Sequence, residues 1–165
     1  RRGRPDPRRG GRPRARPGRA RSGGDRVIAQ LAIGMLAIAA TVAIHATFML
    51  AAGRVFRPPS RPVARGPLRR ALRMIGVVLW FFLSLCVQCW LWGGLLLALG
   101  AFGALETALY FATVTFTTLG YGDVVLGPDW RLLGAFAATN GTLIIGWTTA
   151  MVFLAAQRIY GEPDA

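Results

Sequence analysis

Three stretches of this chain, 27–52, 74–105 and 132–157, contain no Asp, Glu, Lys or Arg. Each is longer than the roughly 20 residues a helix needs to cross a hydrocarbon core about 30 Å thick. A soluble helix keeps a polar face toward water, and these windows have none. The chain is therefore expected to be an all-α, multi-pass membrane protein, because lipid tolerates only backbone whose hydrogen bonds are satisfied internally. As one helix, the middle window would be about 48 Å long, too much for a simple span. It is expected to break at its glycines, Gly93-Gly94 and Gly100 to Gly103.

Charge is segregated around these windows. All 20 basic residues are Arg, with eleven in 1–26 and seven in 53–73, against 7 acids in the whole chain. Residues 1–26 are mostly Arg, Gly and Pro, cannot build a core, and read as a disordered tail. An Arg-rich arm of this kind can bind nucleic acid or anionic lipid; a solvated tail, or one missing from the mature protein, is the preferred reading. In 53–73 the arginines at 57, 61, 65, 69 and 73 recur every four residues, as in a voltage sensor. Pro58, Pro59, Pro62 and Pro67 exclude that, since a sensor needs a continuous apolar helix. Seven Arg without an acid instead mark a cytoplasmic loop, with Arg69, Arg70 and Arg73 snorkelling at the start of the next helix.

Catalytic chemistry has little to work with. His45 is the one histidine, and it lies inside an apolar window. Cys86 and Cys89 form a C-x-x-C within another, where accessible thiolates and further ligands are lacking, so they read as small buried side chains. No nucleophile–base pair or phosphate-binding loop is present. The chain is not expected to be an enzyme.

The informative stretch is Thr117-Thr118-Leu119-Gly120-Tyr121-Gly122-Asp123. Gly120 and Gly122 free the backbone for angles closed to other residues. The preceding segment, 105–117, is helix-forming but reaches only about 20 Å, so it can enter a bilayer without crossing it. Glu106 lies in its first turn, where negative charge suits the helix dipole.

This stretch resembles the T-T-V-G-Y-G-D signature of the pore-loop potassium channels, with Leu119 in the valine position. The chain is similar to the small bacterial members with two pore-forming helices, plus one added helix before them; the resemblance covers about residues 72–160. It implies that backbone carbonyls of Thr118, Leu119, Gly120 and Tyr121, with the Thr118 hydroxyl, coordinate K⁺, the permeant ion. Gly122, Asp123, Thr117, Tyr110 and Phe111 would support the filter. By its place near the middle of the inner helix, Gly141 is either a gating hinge or a glycine that permits tight packing. The resemblance implies a homotetramer in the lipid bilayer of the inner (plasma) membrane, with no small-molecule substrate and no nucleic-acid partner. Val114 occupies the position where some relatives carry a Glu that bonds the filter Asp, which leaves the partner of Asp123 open.

The expected domains follow: tail 1–26, an N-terminal transmembrane helix 27–52, a basic loop 53–73, and a pore domain 74–160. The last divides into an outer helix, pore helix 105–117, filter 118–122 and inner helix 130–160. Asp129 is expected to cap the inner helix, and Trp90 and Trp92 to mark an interface near the far end of the outer helix. With only a few residues after the inner helix, no regulatory domain is expected to follow it. If the Asp123 end faces outside, 53–73 is cytoplasmic and the tail lies outside, against the positive-inside rule. Absence of 1–26 from the mature protein, or a misplaced start, reconciles the two. Three rival functions are a non-selective cation channel of the same fold, a subunit of an active K⁺ transporter (which would be expected to carry several filter repeats, against one here), and a membrane-tethered protein that binds nucleic acid or lipid through the tail.

Overall fold

The computed structural model describes residues 23–55 and 66–161, and among them there is no strand. The disorder expected of the tail falls mainly on 1–22, outside the described residues; of the loop expected over 53–73, 56–65 also lie outside them, whereas 53–55 and 67–73 are helical, as the ends of α1 and α2. The helices are α1 (Gly23–Val55), α2 (Pro67–Ala98), α3 (Leu105–Phe116) and α4 (Arg131–Tyr160), with a 3-10 turn, Pro128–Trp130, leading into α4. Three stretches, Gly24–Arg54, Pro67–Ala98 and Pro128–Tyr160, are long and apolar enough to cross a membrane. The 12 residues of α3 reach about 18 Å and are not.

Helix α1 starts at Gly23, so the last residues assigned to the tail are helical. Asp25 in its first turn and Arg54 in its last both complement the helix dipole. Gln30, Ala37, Thr41 and His45 are buried along one stripe, and Ile28, Met35, Leu36 and Leu50 are exposed. The buried stripe faces α2 and α4. Phe48 and His45 meet Trp80 and Ser84 of α2 in antiparallel order. Gly34, Thr41 and His45 meet Phe136, Asn140 and Trp147 of α4 in parallel order.

Helix α2 opens on Pro67, whose fixed φ and missing N–H suit a first helical turn. The amides of Arg69 and Arg70 close that turn on the Gly66 carbonyl. Gly93 and Gly94, where a break was expected, remain helical. Gly93 instead permits close packing: a Cβ there would lie 3.1 Å from Leu109 Cα of α3. The helix ends at Ala98 with Leu99 as its cap, and Gly100 just beyond has a φ of +70 in the left-handed region. Gly100 N–H bonds Leu97 O and Ala101 N–H bonds Leu96 O, a Schellman ending that satisfies the last carbonyls.

Two apolar clusters join the helices. One gathers Ala37, Cys89, Trp92, Ala112, Phe116, Ala137 and Ile144, drawn from α1 to α4. The other gathers Leu96, Phe111, Leu126 and Leu133 under the loop that follows α3. Trp92 is fully buried rather than interfacial, because it faces α3 and α4, whereas Trp90, two residues earlier, is exposed. The expected cap at Asp129 is also absent. Trp130 holds the N-cap position of α4 without a side-chain cap bond, and the Asp129 carboxylate pairs with Arg26 of α1 at 2.7 Å.

Candidate functional site

Helix α3 hands the chain to the 117–123 stretch through a run of hydrogen bonds. Thr117 N–H donates to Thr113 O and Thr118 N–H to Thr115 O, each at 3.0 Å, and Gly120 N–H reaches back to Val114 O at 3.1 Å. The Thr117 hydroxyl also donates to Thr113 O at 2.7 Å. The last carbonyls of α3 are thus occupied by donors from the stretch that follows. Among the described residues, no carbonyl from Thr118 to Tyr121 accepts a backbone hydrogen bond.

The backbone of this stretch alternates in hand. Thr118, Gly120 and Gly122 have φ of +61, +57 and +80, and the residues between them do not have positive φ. An ordinary strand turns successive carbonyls to opposite sides, whereas alternating the sign of φ swings them toward a common side. Glycine takes such angles freely, but Thr118 is β-branched and pays a strain of about 1–3 kcal/mol. Every residue from Thr117 to Asp123 is exposed. Carbonyls that accept no backbone hydrogen bond, on an exposed stretch whose φ alternates in sign, can offer oxygens to a cation.

The two aromatics at 110 and 111 part company. Tyr110 donates its hydroxyl to Asp123 Oδ2 at 2.7 Å. That bond is the main reason the Asp123 carboxyl lies below its ordinary value of 3.8. Tyr110 is thus the partner of Asp123 that the sequence left open, while Val114 serves Gly120 through its backbone carbonyl. A hydroxyl-bearing ring 13 residues before Asp123, on the last turns of the preceding helix, was the signal available. Phe111 points inward instead, against Phe102 at 5.2 Å between ring centroids.

Gly141 lies directly beneath this unit. It is buried, and a Cβ at this position would fall onto the Phe116 carbonyl oxygen and within 2.6 Å of its carbon. One residue earlier, Asn140 is 1% exposed and its Nδ2 donates to Thr41 Oγ1 at 2.7 Å. His45 is fully buried, with Ser84 Oγ 3.3 Å from its Nδ1. A lone amide in an apolar helix does not name its neighbour in the sequence; the fold supplies it. Cys89 is buried and Cys86 half-buried, both as free thiols. Among the described residues no group of three or more His, Cys, Asp or Glu could hold a metal.

No curated protein and no solved structure matches the chain. A family model described as ion channel matches residues 71–158, just over half of the chain, from the first turns of α2 to the end of α4. With that match and its membrane-spanning helices, the chain belongs to this ion-channel family, as a multi-pass membrane transport protein and not an enzyme.

Proposed function

We propose that this protein is the subunit of a potassium-selective channel, conducting K⁺ passively through a pore shared by four copies. The observation that carries the reading is the alternation of positive φ at Thr118, Gly120 and Gly122 within the sequence T-T-L-G-Y-G-D. In this reading Thr118, Leu119, Gly120 and Tyr121 present carbonyls that replace the hydration shell of K⁺, and the Thr118 hydroxyl adds a further oxygen below them. Gly122 lets the chain turn out of the filter. Thr117 ties the filter to α3, the pore helix, and Tyr110 holds Asp123 at the outer mouth, with Phe111 packed behind. The negative end of the α3 dipole then faces the ions. Non-helical backbone at this depth is tolerable because it lines a water-filled path.

One copy cannot surround an ion. Leu119 and Tyr121 are 56% and 68% exposed in the single chain, and Leu143, Phe153 and Leu154 of α4 are uncovered. These uncovered apolar side chains, at the filter and along α4, support assembly around a central axis as a homotetramer.

The test is the reversal potential of the purified protein in a planar bilayer, with K⁺ on one side and Na⁺ on the other. A value near the K⁺ equilibrium potential is expected, and loss of that current in Gly120→Asp. A potential near zero with persistent current identifies a non-selective cation pore and sinks the K⁺ reading.

A further inference from the structure

The ion-channel reading uses α2, α3 and α4 and leaves α1 without a task. Yet α1 is not packed as a lipid-facing accessory. It meets the turn before α4 at Arg26 with Asp129, and then α4 itself at three successive levels: Gly34 with Phe136, Thr41 with Asn140, and His45 with Trp147. Counted from the turn, the Thr41–Asn140 contact is the third level, and it is the specific one. Asn140 is almost wholly buried, and its Nδ2 has Thr41 Oγ1 as partner, while its Oδ1 has no partner among the described residues. The Thr41 hydroxyl is itself oriented by donating to Ile38 O at 2.8 Å. It thereby presents a lone pair to α4 at one height and one rotation.

This bond lies next to Gly141, where α4 touches the Phe116 carbonyl at the base of the candidate filter. A displacement of α4 of about 1 Å at this level would carry the 2.7 Å contact beyond hydrogen-bonding range. The amide would then be left unsatisfied in an apolar setting, which strongly favours the bonded position.

We infer that α1 is a clamp on the pore-lining helix: the Thr41–Asn140 hydrogen bond holds α4 at Gly141 in the conformation seen here and biases the gate. The inference rests on α4 being the helix that moves in gating. The clamp lies outside the ion path, so it sets how often the pore is open and not which ion passes.

Thr41→Val keeps the shape of the side chain and removes the hydroxyl; Thr41→Ser restores it. Single-channel recording of the full chain in a planar bilayer reads the ratio of open to closed time. Thr41→Val is expected to change that ratio at least about threefold, the size that intramembrane hydrogen bonds carry. Thr41→Ser should return it to within about twofold of the wild type, with the reversal potential the same in all three proteins. An unchanged ratio in Thr41→Val overturns the clamp, as does a change that serine fails to reverse. A wild-type reversal potential near zero counts against K⁺ selectivity alone, because the ratio still reports on the clamp. If the wild type passes no current, hydrogen-exchange mass spectrometry in lipid decides. Faster exchange of the α4 amides around Asn140 in Thr41→Val supports the clamp, and identical protection overturns it.

Discussion

Thr118 holds a left-handed φ of +61 that a β-branched side chain avoids, and three neighbouring amides bonded to α3 hold it there. Strain that is over-determined in this way belongs to sites where geometry matters more than local stability. Tyr110 does for the Asp123 end of the stretch what those amides do for the Thr118 end. In Tyr110→Phe the Asp123 carboxyl should titrate closer to its ordinary 3.8. The sign follows from the direction of the shift: a depressed carboxyl stabilises the folded chain in full above its unfolded value, and loses that as pH falls through the lower folded one. Removing the hydroxyl therefore moves acid sensitivity to higher pH. Carbon-13 NMR titration of labelled Asp checks this, and an unmoved titration in the variant assigns the shift to another cause. Gly141→Ala places a methyl on the Phe116 carbonyl and should destabilise the protein by about 1–3 kcal/mol. Gly146→Ala meets nothing within 4 Å in the chain and should leave the thermal midpoint near that of the wild type.

At the scale of elements, the glycines of α2 separate packing from flexibility. Gly93→Ala sets a Cβ 2.9 Å from Leu109 Cδ1 and 3.1 Å from its Cα, so α2 and α3 must part, at a cost of about 1–3 kcal/mol. Gly94→Ala has open space within the chain and should hold or slightly raise stability through better helix propensity. Thermal unfolding in detergent compares the two; equal losses would mean that the α2–α3 contact is not the tight one. The Arg26–Asp129 pair ties the first turn of α1 to the turn before α4. Its side chains are 53% and 67% exposed, so solvent screens it and Arg26→Gln should cost under about 1 kcal/mol. The docking of α1 rests mainly on its buried stripe of Gln30, Gly34, Ala37, Thr41 and His45.

For the molecule as a whole, the single chain leaves its candidate filter and much of α4 uncovered. Native mass spectrometry of the detergent-solubilised protein is expected to give four times the 17.8 kDa subunit mass. A monomer or dimer as the sole species would leave the carbonyl row without an enclosed path and count against the proposed pore. Parallel α1 and α4 also put the first turn of α1 at the same end as Asp129 and the turn before α4. The positive-inside rule, applied to the arginines of 1–26, pulls that end the other way.

Long charge-free windows determined the helical membrane class by themselves, because the spacing of charge along a chain decides what lipid accepts. The 117–123 stretch was legible for a related reason: left-handed backbone confines the choice of residue, so glycines at 120 and 122 show locally. Other features depended on neighbours distant in sequence. Gly93 and Gly94 look alike as a pair, and only the approach of Leu109 makes one a contact and the other not. Asp129 has the chemistry of a cap, but Arg26, 103 residues away, takes its carboxylate. Tyr110, Asn140 and Trp92 carry polar atoms whose partners, or lack of them, are set by which helix lies opposite. Composition and periodicity act along the chain; hydrogen bonds and close contacts act across it, and the tertiary structure alone decided those.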